Sequence, residues 1–105
     1  MKIKNGQMIL FLNTAEKLVE KKLPSTMYYA IDCNIKIFRE FIESYQKAYE
    51  KAKDDPEELN TLVNREIEAA IQMIPKEDLI LLDTSSKFDA LTYDEYNAIS
   101  FMIKG

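Results

Sequence analysis

A chain of 105 residues is one domain's worth of sequence, and 47% apolar with 30% charged residues is the balance of a folded globular protein, not a disordered or fibrous one. With no histidine, one cysteine and two glycines, it has no internal disulfide, argues against a zinc centre and cannot contain a glycine-rich phosphate loop. The formal charge of -4 is uneven: residues 1–53 carry ten Lys/Arg against six Asp/Glu, and 54–105 carry four against twelve, a half of +4 followed by one of -8.

From a capping pair at Asn5-Gly6, the residues Met8, Phe11, Leu12, Ala15, Leu18 and Val19 recur at steps of three and four. This predicts a first helix over 6–21, with Lys17, Lys21 and Lys22 loading the end where the helix dipole favours cations. Leu23-Pro24-Ser25 interrupts it, because Pro24 has no donor for a continuing helix but suits a new first turn.

A second helix over 25–53 completes a helical hairpin. One apolar row runs Tyr28, Ile31, Ile35, Phe38, Ile42, Tyr45, Tyr49, Ala52, and a second runs Met27, Ala30, Asn34, Ile37, Phe41, Ser44, Ala48. Together they are wider than a coiled-coil seam, so this helix needs more than one packing partner and self-association is expected. Asn34 is expected at the wet margin of that face and Cys33 packed within it. The outer face offers Lys36 with Glu40, Arg39 with Glu43, and Glu43 with Lys47 as surface pairs.

Asp54-Asp55-Pro56-Glu57-Glu58 reads as a turn and a third helix start, with the helix continuing at least through Arg65. Beyond it, Leu62, Ile67, Ala70, Ile71 and Ile74 fit a helix, while Ile67, Ala69, Ile71 and Met73 alternate as a strand does. Helix passing into strand is the reading adopted, with Leu79–Leu82 as the second strand of a small β element near 66–83. Thr92-Tyr93-Asp94-Glu95 matches a capping box and predicts a last helix from 93 to about 103, docking through Tyr96, Ile99, Met102 and Ile103. The expected fold is a single mainly α domain.

The acidic groups at 54–58, 66–68, 77–78 and 89–95 read as helix starts or solvated faces, and neither a metal nor a cofactor nor an enzymatic role is expected. The pattern that carries chemistry is the mixture of cations and rings around the hairpin: Lys21, Lys22, Tyr28, Tyr29, Lys36 and Arg39. Cations meet phosphates and tyrosines stack on bases, the minimum equipment of a nucleotide site. The same residues also have a structural reading, as helix-end charges and helix-face pairs. The acidic total argues against duplex nucleic acid as a partner. The only apolar run near the start, Met8–Leu12, is too short for a secretory signal or a membrane span, so a cytoplasmic location and no membrane partner are expected.

The opening Met1-Lys2-Ile3-Lys4-Asn5-Gly6, Lys22-Leu23-Pro24 leading into Ala30-Ile31 and Asn34, Glu66-Ile67-Glu68, and the ending Leu91-Thr92 with Glu95, Ala98-Ile99 and Met102-Ile103 resemble a family of small proteins encoded by phages and prophages of Gram-positive bacteria. The resemblance transfers no residue-level activity. It implies either a counter-defence protein that sequesters an anionic nucleotide immune signal, or a protein–protein module such as a virion assembly factor, a chaperone or a direct inhibitor of a host defence protein.

Overall fold

A computed structural model describes residues 1–104 as β1 (Lys2–Lys4), α1 (Asn5–Val19), α2 (Ser25–Ala52), α3 (Pro56–Asn64), β2 (Glu66–Glu68), α4 (Lys76–Thr84), α5 (Tyr93–Ile99) and a closing 3-10 turn, Ser100–Met102. The mainly α architecture with a small β element is the one expected, and α1 and α2 form the hairpin. Each break follows local chemistry. Pro24 precedes the first residue of α2. Asp55 caps α3 by accepting from the amides of Glu57 (3.1 Å) and Glu58 (3.3 Å), with Pro56 in the first turn. The capping box at Thr92 forms in both directions: Glu95 N–H donates to Thr92 Oγ1 (3.1 Å) and Thr92 N–H to Glu95 Oε1 (2.8 Å).

The core gathers Ile3, Met8, Phe11, Leu18, Met27, Ile31, Phe38, Ile74, Ile99 and Met102, all with almost no exposed surface. At its centre Phe11, Phe38 and Phe101 meet in edge-on and tilted contacts with centroids 5.7 to 6.4 Å apart. Thus α1, the proximal part of α2 and the C-terminal segment share one apolar interior.

Several sequence expectations are corrected. Glu66–Glu68 is a strand, but its partner is β1, antiparallel with Lys2 opposite Glu68 and Lys4 opposite Glu66. Leu79–Leu82 lies inside α4: Pro75 and the acidic Glu77 and Asp78 form a helix start, and that local signal prevails over a four-residue apolar run. Between β2 and α4 the chain is extended, and Ile74 bridges Ile103 in parallel.

Asn34 is fully buried, not marginal. Its Nδ2 donates to the Gln72 carbonyl (2.8 Å) and its Oδ1 accepts from the Gln72 amide (2.7 Å), so one side chain satisfies both backbone groups of a residue in that extended connector. The Asn5-Gly6 pair lies within α1 instead of ahead of it. Asn5 Nδ2 donates to the Leu62 carbonyl (2.9 Å) and Asn5 N–H to that of Arg65 (2.9 Å), tying α1 to the end of α3. Gly6 makes that junction fit, since a Cβ there would stand 2.9 Å from Val63 Cγ1. In the last helix Tyr96 faces outward, because the cap at Thr92 sets a phase that turns Glu95, Ala98, Ile99 and Met102 inward.

Candidate functional site

The N-terminal end of α2 is where backbone, side-chain charge and aromatic surface converge. Pro24 supplies no side-chain cap and the first turn of this 28-residue helix holds no acidic residue of its own, but the Thr26 hydroxyl donates to the buried Asp78 carboxylate of α4. The loop before α5 is fastened to this end. Asp89 N–H donates to the Lys22 carbonyl (2.9 Å) and Lys22 N–H to Asp89 Oδ2 (2.7 Å).

Lys21 tightens the same seam. Its ammonium donates to the Ala90 carbonyl (2.7 Å) and pairs with Glu95 (2.8 Å). Burial pushes the Glu95 carboxyl up, but the hydrogen bond from Lys21, those from Thr92 and the charge of Lys21 together outweigh it and leave its pKa below the ordinary glutamate value. Lys21 is therefore a fastener whose charge is already answered.

Beside this seam opens a cleft of about 570 Å³ lined by Lys21, Lys22, Leu23, Ser25, Tyr28, Lys87 and Phe88. No carboxylate lines it. Lys22 and Lys87 have no ion-pair partner among the described residues, and the Lys87 ammonium lies 5.7 Å from the centroid of the Phe88 ring. Two ammonium groups without an ion-pair partner and two aromatic rings thus share one concavity.

Of the residues singled out in the sequence, Lys21, Lys22 and Tyr28 meet here. Lys36 and Arg39 lie farther along α2, in a groove between α1 and α2 of about 450 Å³ that Tyr28 also lines. There Lys36 pairs with Asp32 (3.1 Å), whose hydrogen bond and charge hold the lysine pKa above its usual value. The expected Lys36–Glu40 and Arg39–Glu43 pairs do not form, while Glu43–Lys47 does, at 3.1 Å.

Tyr29 is not with the others. One residue on from Tyr28, it is turned by about 100° and borders a separate depression with Thr26, Met73 and Pro75. A hydrogen bond with Cys33, one turn away, is the first cause of its raised pKa.

No family model matches the chain, and no curated protein or solved structure matches it.

Sequence reasoning missed Lys87 and Phe88, which belong to the cleft only because the loop before α5 folds back onto Lys22. The available signal was compositional: Lys87 is the only cation between Lys76 and Lys104 in the acidic half. A wider groove of about 780 Å³ lies between the distal part of α2 and α3, lined in part by Ala48, Lys51, Glu58, Leu62 and Arg65. It contains no aromatic ring and a carboxylate, Glu58, shares its lining, so it lacks the combination found at the cleft. Among the described residues no group of three acidic or cysteine side chains is placed to hold a metal ion, and no helix is long and apolar enough to cross a membrane.

Proposed function

We propose that this chain is a non-enzymatic binder that captures a small anionic nucleotide in the cleft of Lys22, Tyr28, Lys87 and Phe88 and so withdraws it from use. The observation that carries this reading is the pair of unpaired ammonium groups, Lys22 and Lys87, lining one concavity with two aromatic rings and no carboxylate. Phosphate oxygens accept charge-assisted hydrogen bonds from such groups. Tyr28, 43% exposed, adds an aromatic ring beside the two ammonium groups. No bond is made or broken in this role. Capture without turnover is how a counter-defence protein removes a nucleotide immune signal, the setting that the phage-family resemblance implies.

A second reading has its own observation. On the outer face of α4, Ile80 and Leu81 are exposed side by side among Lys76, Glu77, Asp83 and Thr84, and Met73 is exposed just before the helix. A partner protein or a second copy would cover such a face, which is the protein–protein alternative.

The deciding experiment is a thermal melt of the protein with and without a panel of cyclic dinucleotides, cyclic trinucleotides, ADP-ribose derivatives and nucleoside polyphosphates. A ligand at 1,000 times its Kd stabilises the fold by about 4.1 kcal/mol, and each kcal/mol raises the midpoint of a domain this size by roughly 4 to 8 °C. The expected result is a large shift with one ligand, recovered unaltered afterwards and lost in the Lys22→Gln, Lys87→Gln double variant at an unchanged ligand-free Tm. Absence of any shift across the panel rejects nucleotide capture and leaves the exposed face of α4 as the functional surface.

A further inference from the structure

The groove that continues from the lysine cleft differs from it in kind. Its walls are apolar, from Leu12 and Val19 on α1 and Ile35 and Ile42 on α2. Its polar groups come in both signs: Glu16 from α1, and Asp32, Lys36 and Arg39 from α2. Asp32 and Lys36 satisfy each other at 3.1 Å. Glu16 and Arg39 line the same groove from opposite helices, and neither is ion-paired among the described residues. Tyr28 lines both groove and cleft, so one ligand can occupy the two.

Such a groove is poorly suited to phosphate, because its charges balance. It suits a flat, neutral ring that presents adjacent donors on one edge and adjacent acceptors on another. Guanine does so: N1–H and N2–H₂ point two donors at a carboxylate, while O6 and N7 accept both arms of a guanidinium. Adenine places a donor next to N7, and uracil offers a single ring N–H, so neither answers both Glu16 and Arg39. Length sets a further condition. From Tyr28 to Arg39 is eleven residues, about 16 Å along the helix axis, so base and phosphate ends must be well separated.

Resting on the nucleotide reading of the lysine cleft, the geometry points to a guanosine polyphosphate as the ligand, with its guanine in the α1–α2 groove between Glu16 and Arg39 and its phosphates at Lys22 and Lys87. Base selection and phosphate capture are then separable functions of two adjoining concavities.

Calorimetric titration at low salt with guanosine, inosine and adenosine triphosphates and with inorganic tripolyphosphate tests this. Inosine triphosphate lacks only the 2-amino donor. The expected result is binding of guanosine triphosphate about tenfold or more tighter than either other nucleotide, the discrimination typical of one bidentate contact. Glu16→Gln should erase the preference over inosine triphosphate, and Arg39→Lys, which keeps the charge but loses the fork, should weaken guanosine and inosine triphosphates alike, since both carry O6 and N7, and leave adenosine triphosphate and tripolyphosphate unchanged. Equal binding of all four compounds, lost on changing Lys22 and Lys87, overturns the guanine assignment and leaves the lysine cleft standing. Guanosine triphosphate binding that ignores Lys22 and Lys87 but requires Glu16 keeps the base site and overturns the cleft. Binding of none overturns the guanosine polyphosphate assignment, while the cleft itself stands or falls on the melting panel.

Discussion

The proximal part of α2, from Ser25 to Phe38, and the distal part, from Phe41 to Ala52, belong to one unbroken helix but have different surroundings. In the first, Met27, Ala30, Ile31, Asn34 and Phe38 are buried against α1, the extended connector and the C-terminal segment. In the second, only Ala52 is buried; Phe41, Ile42, Tyr45 and Ala48 are half-covered, and Tyr49 stacks on Tyr45 at 6.3 Å on the surface. The helix is about 42 Å long and the molecule measures 47 × 23 × 21 Å, so α2 outruns the body that covers it. A broad apolar stripe therefore does not report uniform burial: one stretch builds the core with α1, the other carries α3.

The largest effect should come from the proximal half. Phe38→Ala removes the ring that touches both Phe11 and Phe101 and should cost about 3 to 5 kcal/mol, a large share of the roughly 5 to 15 kcal/mol that holds a domain together. Urea denaturation checks it, and a loss below 1 kcal/mol would mean that the three-ring contact is not the centre of the core. Asn34→Ala comes next. It leaves the Gln72 amide and carbonyl without their partner and should cost about 1 to 3 kcal/mol, with hydrogen exchange accelerating from Gln72 to Ile74. Unchanged exchange there would show that the connector is held by something else. The smallest effect belongs to the distal half, where Tyr45→Ala should cost about 1 kcal/mol for a half-covered ring. A loss matching that of Phe38→Ala would erase the distinction between the two halves.

The sequence discloses the helices because each carries its own punctuation. Pro24, Asp55-Pro56 and the Thr92–Glu95 box mark starts that depend on nearby residues alone, and all three fall where expected. What stayed hidden depends on residues distant in the chain. Three residues of alternating pattern at 66–68 announce a strand but not that Lys2–Lys4 is its partner, and nothing around Asn34 reveals the backbone of Gln72. The same limit governs the site. Lys22 and Tyr28 were legible as a basic, aromatic hairpin, whereas Lys87 and Phe88 arrive through the bonds between Lys22 and Asp89. Tyr29 was grouped with Tyr28 by composition and is separated from it by the turn of the helix.

The pairing of β1 with β2 bears on how quickly the native state is reached. A chain dominated by helices is expected to assemble from neighbouring segments, yet here Lys2–Lys4 must find Glu66–Glu68, and Ile74 must find Ile103. Lys22 is joined to Asp89 across 67 positions, and Asn34 to Gln72 across 38. Closing such loops costs entropy before any contact rewards it, so the helices form early and wait. Folding should be slower than helix content alone implies.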